Sequence, residues 1–599
     1  MATYKTPGVF IEEIPRLGSS IVGVPTAITG FVGYTEKATL VDGTNVTNKP
    51  VRITSLLEFQ QIFGGAFHET FDVTLNGDVF GPNTISTIPT SIYDVGPPIV
   101  STVTNYILFY QVRMFYANGG GACWIVSVGD YSSLTVDVDE LNDGLALFEQ
   151  IDEVTLLAVP ESVFLDDTER KIIYDDMAIQ CAKLQDRFAI VDAVHLAGNS
   201  IFDDATNFRD NDIGANNLKY VGAYYPALNT PIEYFYNDAD ITIIDNRPSG
   251  PYISPTDKLS DIKTTSINAV KATVTISPSG SSATPLGVND GFKIIISVTP
   301  AIDATFTPGT DYSGGANLTQ SVAALVDAIN AHPVISLYVT AKVDAATPTQ
   351  FFLTANLYGT IGNSYDANRA GSGTRFLVNA PLIGGAGSGA DKALYNRIKA
   401  ELAKYKLTLY PSATMAGVYA QVDNARGVWK APANVGLTFV NQPSIQITDQ
   451  DQENLNVDSV SGKSINAIRA FSGRGTLVWG ARTLAGNDNE WRYINVRRLF
   501  IYVEESCKKA TEFVVFESNT ANTWQRVKGM IEAFLTNLWR DGGLAGATPK
   551  DAFFVRVGLG TTMTADDILN GKMIVEIGMA AARPAEFIIL RFEHKLQES

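Results

Sequence analysis

A long stretch without glutamate divides this chain into unlike parts. No glutamate occurs between Glu233 and Glu401, while threonine, serine, alanine and glycine become abundant there. Alternating apolar and polar residues at 272–277 and 292–298 predict β-strands, and clusters of proline, serine and glycine predict the turns between them. One helix is predicted from apolar residues that recur on a single face, namely Val322, Leu325, Val326 and Ile329.

A glycine-rich run at 383–390 closes this region. Its composition is typical of a flexible linker. Its glycine spacing fits neither the dinucleotide-binding pattern nor the P-loop pattern, so we interpret it as a linker and not as a phosphate site. We therefore predict that residues 250–390 form a β-rich domain inserted into a larger body.

Strands and helices alternate just before the insertion. Buried strands are predicted at 154–160, 189–194 and 220–226, with a helix between the first two. The apolar face of that helix is predicted to contain Ile173, Met177, Cys181, Leu184 and Phe188. This rhythm predicts βαβ units. Because 599 residues are too many for one core, the predicted fold class is an α/β (α+β) multidomain body with antiparallel edges and the β-rich insertion.

Charge is distributed unevenly along the chain. The net charge of −18 opposes non-specific binding to nucleic acid. Residues 491–599 contain 14 basic and 13 acidic side chains, whereas the other 490 residues contain 31 basic and 50 acidic ones. A near-neutral end that is buried in an assembly and an acidic remainder that faces water would give this pattern, as would many two-domain proteins.

Composition also bears on where the protein is made. Three cysteines in so long a chain argue against a disulfide framework, and buried free thiols are expected. The first residues show no basic region followed by an apolar stretch, so no signal peptide is expected. No run approaches the ~18 apolar residues of a membrane helix. We expect synthesis in the cytoplasm and no direct membrane insertion.

The motifs that most resemble chemical sites are incomplete. Ser461-Gly462-Lys463-Ser464 resembles the end of a P-loop, but Val457 stands where that loop needs glycine. The four histidines lack metal-ligand spacing, and the acidic pairs near 203 and 210 lack the closing glutamate of a calcium loop. No hydrolase nucleophile elbow is present. We predict that the chain is not an enzyme and has no metal or cofactor.

Both ends of the chain have the character of strands. The segment at 7–14 opens with Pro-Gly, continues with β-prone residues and is followed by Pro15. The segment at 586–593 is apolar on both faces, which indicates that both faces are covered. Since an isolated strand leaves its backbone groups unpaired, each segment must join a sheet, either within its own subunit or elsewhere.

Several ordered stretches carry a family resemblance. They are 4–13, 416–434, 475–484, 492–498, 513–519 and 583–592, which read YKTPGVFIEE, AGVYAQVDNARGVWKAPAN, GTLVWGARTL, RYINVRR, FVVFESN and RPAEFIILRF. In this order they resemble contractile tail sheath proteins of bacteriophages and of phage-tail-like injection systems. The resemblance covers about 1–35 and 390–599, is weaker over 150–245, and is absent from the insertion.

The resemblance implies a mechanical role. It implies a subunit that forms a helical homopolymer of stacked rings around an inner tube protein and contracts to drive that tube through a target cell envelope. It also implies contacts with baseplate and terminal cap proteins, and with sheath paralogues where they exist, in a virion tail or a phage-tail-like particle made in the bacterial cytoplasm. No nucleic-acid partner is implied.

The same resemblance implies how subunits join. Both chain ends would extend into neighbouring subunits and add strands to a shared sheet, which is β-augmentation. The predicted inter-subunit strand residues are Val9, Phe10, Ile11, Glu12, Phe587, Ile588, Ile589, Leu590, Arg591 and Phe592. The predicted division is an N-terminal joining arm at 1–25, an outer and middle α/β domain at 26–249, the insertion at 250–390, a tube-facing α/β domain at 391–582 and a C-terminal joining strand at 583–599.

A basic helix is the candidate for gripping the tube. A helix from about 521 to 540 is predicted, stopped by Asp541-Gly542-Gly543. Arg526, Lys528 and Arg540 lie on or beside it and are the predicted tube contacts. Surface ion pairs are worth only ~0–1 kcal/mol each, which suits a grip that must release. A merely solvated basic face is the alternative.

Two other functions remain as alternatives to the sheath interpretation. The first is a non-contractile phage or secreted structural or adhesive protein whose β-rich insertion binds glycans. Such a protein would be a discrete oligomer that retains carbohydrate. The second is an α/β hydrolase-like enzyme, which the missing nucleophile motif disfavours.

Overall fold

The computed structural model describes residues 21–76, 84–89, 105–133, 135–245, 258–260, 271–279, 281–296, 302–358, 365–370, 372, 375–376, 380–382 and 392–591. The strands are β1 Thr29–Gly33, β2 Val51–Ile53, β3 Phe71–Asn76, β4 Thr84–Pro89, β5 Cys123–Ser127, β6 Leu156–Ala158, β7 Phe188–Asp192, β8 Val221–Tyr225, β9 Leu228–Glu233, β10 Ile241–Asp245, β11 Lys271–Ile276, β12 Gly291–Ile296, β13 Ile302–Phe306, β14 Val339–Val343, β15 Phe351–Tyr358, β16 Asp366–Ala370, β17 Ala380–Pro381, β18 Lys406–Leu409, β19 Val435–Gly436, β20 Gln442–Pro443, β21 Ile465–Phe471, β22 Gly475–Val478, β23 Phe553–Val557 and β24 Val575–Met579. The α-helices are α1 Leu56–Phe63, α2 Leu108–Ala117, α3 Val138–Ala146, α4 Asp167–Leu184, α5 Ile201–Asn207, α6 Leu318–Ala331, α7 Lys392–Leu402, α8 Ser412–Arg426, α9 Asp449–Asn456, α10 Ile494–Thr511, α11 Ala521–Arg540, α12 Pro549–Ala552 and α13 Ala565–Leu569.

A nine-stranded sheet forms the centre of the body, in the order β19-β22-β21-β8-β7-β6-β1-β5-β2. Six adjacent strands, from β21 to β5, are parallel. The strands at the two sides are antiparallel. The predicted α/β class with antiparallel edges is therefore confirmed. Strands β1, β7 and β8 are buried along their whole length, as expected for parallel strands covered on both faces.

This sheet draws on both sides of the insertion. Its strands β1, β2, β5, β6, β7 and β8 come from the predicted domain at 26–249, whereas β19, β21 and β22 come from the predicted domain at 391–582. Strand β21 pairs with β8 in parallel, Ile465 opposite Ala223. The two segments thus share one sheet and one hydrophobic core.

Helix α4 ends earlier than the apolar pattern predicts. Asp166 and Glu169 form a capping box at its start. The chain leaves the helix at Gln185, whose φ of 63° is left-handed. Phe188 was therefore wrongly placed on the helix: it is the first residue of β7. Apolar spacing alone cannot distinguish the last helical turn from the start of a buried strand.

The insertion has a hydrophobic core of its own. Strands β11, β15 and β14 form one sheet, and β13, β12, β16 and β17 form another. Helix α6 contributes Val322, Leu325, Val326 and Ile329 to this core, as predicted. All the buried residues of the cluster lie between Ala272 and Leu382.

A small module follows the body at the C-terminal end. Helices α10 and α11 pack against the hairpin of β23 and β24 around a separate core. Helix α11 has the predicted bounds, and Gly542, at φ 88°, follows it, donating to the carbonyl of Trp539. Ile21 from the start of the described chain is buried in the same core. The described chain therefore begins in this module.

The described helices and the cysteines agree with what the composition predicts. Among the described helices, none combines the length and the apolar character needed to cross a membrane. All three cysteines are buried free thiols, as expected, and burial raises the pKa of each.

Candidate functional site

The N-terminal segment is fastened to helix α10 before it enters the body. The backbone N–H of Val24 donates to Ser506 Oγ at 3.1 Å. The hydroxyl of Thr26 donates to Asp423 Oδ2 at 2.6 Å. Gly23 lies against the Tyr502 side chain, which occupies the place where a Cβ at position 23 would be, so this close approach requires glycine.

A buried ion pair completes this attachment. Arg498 of α10 donates to both oxygens of Asp423, at 3.0 and 2.5 Å, and to the carbonyl of Thr26 at 2.8 Å. Both charged side chains are almost fully buried. The guanidinium also lies over the Tyr419 ring, 4.6 Å from its centroid. Thr26, Asp423, Arg498 and Ser506, here called the N-terminal clamp, thus join the N-terminal segment to α8 and α10.

The C-terminal segment is fastened by a second ion pair. Glu586 accepts from Arg482 at 2.6 Å and 3.0 Å, from Asn456 Nδ2 at 2.7 Å and from the Tyr493 hydroxyl at 3.1 Å. Burial would raise the pKa of Glu586, but the hydrogen bonds from Arg482 and Asn456 outweigh burial and hold the pKa below its ordinary value. These four residues are called the C-terminal clamp.

Helix α10 takes part in both clamps. Tyr493, which precedes it, and Asn495 in its first turn hold the C-terminal segment, because Asn495 Nδ2 donates to the carbonyl of Ala582 at 3.2 Å. Arg498 and Ser506 hold the N-terminal segment. One helix therefore fixes the two points at which the chain leaves the described module.

Beyond the C-terminal clamp the apolar side chains of the chain are largely exposed. Phe587, Ile588, Ile589 and Leu590 are 71–79% exposed, and no strand is formed from Phe587 to Arg591. Over its described residues, up to Arg591, the predicted C-terminal strand therefore has no ladder within the single chain. Its pairing with a neighbouring subunit remains a prediction. Phe592 and the N-terminal residues Val9, Phe10, Ile11 and Glu12 lie outside the described residues.

The hairpin of the same module has two open edges. Strands β23 and β24 pair only with each other among the described strands. One face carries Val555 and Val557 toward the module core, while Phe554 and Arg556 face outward. A two-stranded sheet is marginal alone in water, and each edge presents unpaired backbone groups. Neither outer edge of the hairpin is paired with a described strand, so each offers backbone groups to an added strand.

The structure separates the three candidate tube contacts. Arg526 and Arg540 are exposed and lie 14 residues apart on α11, which places them on one flank about 21 Å apart. Lys528 is displaced by about 160° around the helix from Arg526 and lies 3.8 Å from Glu532. Arg526 lies over the ring of Phe513, 4.7 Å from its centroid. Two of the three residues thus share a surface, and their role at a tube remains a prediction.

The residues that suggested other chemistry have structural partners. Lys463, the lysine of the incomplete P-loop, is buried and donates to the backbone carbonyls of Arg209 and Ile213, and burial lowers its pKa. Asp204 accepts from Tyr225 and lies 2.5 Å from His195, while Asp212 pairs with Arg170. Among the described residues, no group of three metal-ligating side chains is found.

A buried carboxyl group occupies the place where α/β sheets commonly bind ligands. Strands β5 and β6 lie on opposite sides of β1, so the sheet has a switch point at the carboxyl ends of β1 and β6. There Glu161 accepts from the backbone N–H groups of Tyr34, Ile107 and Leu108 at 2.8–3.0 Å. Helix α2 begins at Leu108 without a side-chain cap of its own. Glu161 thus takes the position at a helix N-terminus that suits a bound anion.

Sequence reasoning missed Glu161 and both clamps. The signal for Glu161 was available, since it is a charged residue directly after the buried strand predicted at 154–160. Burial raises its pKa to about 8, despite the three N–H groups that lower it. Five of the eight clamp residues lay within the stretches that carry the family resemblance, namely Asp423, Arg482, Tyr493, Arg498 and Glu586. Nothing in their spacing indicated which residues meet.

Comparison with known proteins identifies the C-terminal region. Residues 486–595 match the phage tail sheath C-terminal domain. The tail sheath protein of Vibrio phage KVP40 is 26% identical over 182 residues, which is 30% of this chain and 25% of that protein. That of Enterobacteria phage T4 is 23% identical over 183 residues, 30% of this chain and 26% of that protein. The chain thus matches about a quarter of the length of these relatives.

Solved structures resemble the chain over its whole length. A chain of the anti-feeding prophage baseplate is 25% identical, with a TM-score of 0.51 and coverage of 99% of this chain and 100% of that one. A chain of the contracted sheath complex of the extracellular contractile injection system PVC is 24% identical, with a TM-score of 0.50 and coverage of 99% of both chains. This second likeness concerns the fold alone.

Proposed function

We propose that this chain, which belongs to the contractile tail sheath proteins, polymerises into a helical sheath around an inner tube and contracts to drive the tube through a target envelope. The observation that carries the proposal is that both chain ends are clamped at helix α10, while the hairpin of the C-terminal module has two edges that pair with no described strand. The number of joining arms, one at each chain end, equals the number of unpaired hairpin edges, one on β23 and one on β24. The fold and the tail sheath C-terminal domain at 486–595 support the same function.

In this proposal, subunits join by exchanging strands. The arm at 1–25 and the strand at 583–599 of neighbouring subunits add to the edges of β23 and β24. The exposed apolar residues from Phe587 to Leu590 support an intermolecular strand, because their burial would recover hydrophobic free energy at about 25 cal/mol per Å². Main-chain ladders tolerate changes in subunit orientation better than packed side chains do.

The energy for contraction would come from the lattice. We propose that assembly produces a metastable extended state, and that triggering lets the subunits repack while each fold is kept. A gap on the order of a few kcal/mol per subunit becomes large when summed over a long array. The insertion, with its separate core, would lie on the outer surface as a domain that leaves the packing of the body unobstructed.

Its partners follow from this role. Besides copies of itself, the chain would contact an inner tube protein, the baseplate and a terminal cap. It would be made in the bacterial cytoplasm and become part of a phage tail or an injection particle.

Electron microscopy of the purified full-length chain, with and without a tube protein, tests the proposal. Hollow tubes with a helical repeat are expected. Discrete particles in the presence of a tube protein, together with retention on a glycan array, would instead favour the adhesive alternative.

The three basic residues of α11 give a separate prediction about the tube. Replacing Arg526, Lys528 and Arg540 together by glutamate is expected to reduce co-assembly with the tube protein at least tenfold, because it changes the charge of the proposed tube-facing helix by six units. Sedimentation of sheath with tube measures the effect. The control is the replacement of the three exposed lysines Lys49, Lys183 and Lys404 by glutamate, which makes the same change in charge away from α11. Equal co-assembly of the two triple variants would contradict the assignment.

A further inference from the structure

Four of the sequence stretches that resemble sheath proteins meet at the two clamps. Asp423 belongs to the stretch 416–434, Arg482 to 475–484, Arg498 to 492–498 and Glu586 to 583–592. The structure joins them pairwise, as Asp423 with Arg498 and Glu586 with Arg482. Desolvation of a buried ion pair often offsets most of its attraction, so these pairs need not add stability, and positioning is a role that remains for them.

We propose that Arg482 and Arg498 are positioning residues that fix the directions in which the two joining arms leave the subunit. The inference rests on the proposed function and assigns residues to it. Neither arginine need touch a neighbouring subunit. Each acts through the carboxylate it holds.

The C-terminal clamp fixes the last held residue before the arm. Arg482, Asn456 and Tyr493 supply four hydrogen bonds to the two carboxylate oxygens of Glu586, which saturates the oxygens. The arginine bonds both oxygens through its planar fork, so the carboxylate is held in orientation as well as in place. Phe587, the next residue, is already 71% exposed. The direction of the arm is thus set at Glu586.

The N-terminal clamp does the same at the other end. Arg498 holds the carbonyl of Thr26, and its partner Asp423 holds the hydroxyl of the same residue. Arg498, Tyr502 and Ser506 are spaced by four residues, so they form one stripe along α10 beneath the segment from Gly23 to Thr26. This stripe orients the chain as it passes to the N-terminal arm.

Helix α10 couples the two directions. From Tyr493 to Ser506 the rise is about 20 Å, and a helix of this kind is stiff over that length. The base of one arm cannot turn relative to the base of the other unless a clamp opens. A subunit that is pulled through one arm therefore passes the pull to the other arm through α10.

Replacing Glu586 by glutamine in the full-length chain tests the proposal. The amide removes the charge and one acceptor oxygen but keeps the shape. We expect the polymer formed at a fixed protein concentration to fall at least tenfold. This fall is expected to exceed what the change in the thermal unfolding midpoint of the unassembled chain accounts for, although the buried Arg482 then lacks its charged partner. Asp449→Asn, which neutralises an exposed carboxylate that pairs with Arg469, is the matched control and is expected to assemble normally.

A double variant separates positioning from general stability. If Arg482 acts through Glu586, the variant with Arg482→Gln and Glu586→Gln is expected to assemble no worse than the poorer single variant. Additive losses in assembly, or a fall in the unfolding midpoint that accounts for the lost polymer, would overturn the inference. So would normal assembly of Glu586→Gln. Failure of the unaltered chain to form tubes with a tube protein would instead overturn the proposed function.

Discussion

A chain that lacks residues 1–14 is expected to fold but to form no helical tubes. The N-terminal segment from Ile21 to Ile28 keeps its contacts with α10 and the body, so the deletion removes no contact of the subunit core. What is lost is one of the two strands proposed to fill the edges of the hairpin. Electron microscopy and sedimentation with tube protein present measure polymer, and circular dichroism measures the fold.

The control keeps the length and removes the strand. Replacing residues 1–14 by a glycine and serine sequence of equal length preserves the reach of the arm but removes its β-propensity and its apolar residues. This variant is expected to fail in the same way as the deletion. If it forms tubes, the arm acts as a tether. If the deletion itself forms tubes of normal length, strand exchange at this end does not join the subunits.

The expected loss follows from cooperativity in a helical array. Each subunit is proposed to give two arms and receive two, so the removal of one arm type halves the strand contacts of every subunit. Backbone ladders are worth roughly 0.5–1.5 kcal/mol per hydrogen bond, and a strand of four to six residues supplies several of them. The association free energy of each neighbour then falls by several kcal/mol. The protein concentration needed for assembly then rises by orders of magnitude, about tenfold for each 1.4 kcal/mol lost.

Local patterns predicted the elements of this chain well. The bounds of α11 and its end before Gly542 were predicted from the sequence, as were the core residues of α6, because helix ends and buried helix faces are local properties. The β-rich insertion was predicted from composition. Phe188 was placed wrongly because the left-handed residue at Gln185 leaves no clear signal in apolar spacing.

Contacts between residues far apart in the chain could not be predicted from the sequence. Arg482 and Glu586 are separated by 104 positions and Asp423 and Arg498 by 75, and a charged residue in a sequence gives no sign of its partner. The family resemblance showed which stretches matter without showing why. The strand predicted at 586–593 is a different case. Its two apolar faces predicted burial, but among the described residues of the single chain nothing buries them.

Glu161 provides the largest expected effect on the subunit itself. Replacing Glu161 by alanine would leave the N–H groups of Tyr34, Ile107 and Leu108 without partners in the body core, where Glu161 is fully buried. An unsatisfied buried donor costs about 1–3 kcal/mol. Local relaxation would recover part of the sum, so we expect the body to lose about 3–5 kcal/mol of unfolding free energy. Urea unfolding of the unassembled chain measures this loss.

Hydrogen exchange locates the effect. The three amides that Glu161 accepts from are expected to exchange faster in the alanine variant, along with the first turn of α2. Glu149→Ala, which removes a surface pair with Lys183, is the control and should change stability by less than about 1 kcal/mol. An alanine variant at 161 that unfolds like the unaltered chain would mean that water or backbone shifts satisfy these donors.

The pH dependence of stability gives a second test of the same residue. In the folded chain the pKa of Glu161 is raised from 4.5 to about 8 and that of Asp192 from 3.8 to about 7, in both cases chiefly by burial. Between these limits the folded state holds protons that the unfolded state has released, so stability falls as pH rises. The stabilisation is complete below about pH 4 and is lost as pH passes 7 to 8. The slope is at most about 1.4 kcal/mol per pH unit for each group. Glu161→Gln cannot titrate, so it is expected to remove the share of this fall that Glu161 causes between about pH 4.5 and 8 and to keep the share of Asp192, which ends near pH 7. A pH profile unchanged by this substitution would show that Glu161 is ionised throughout.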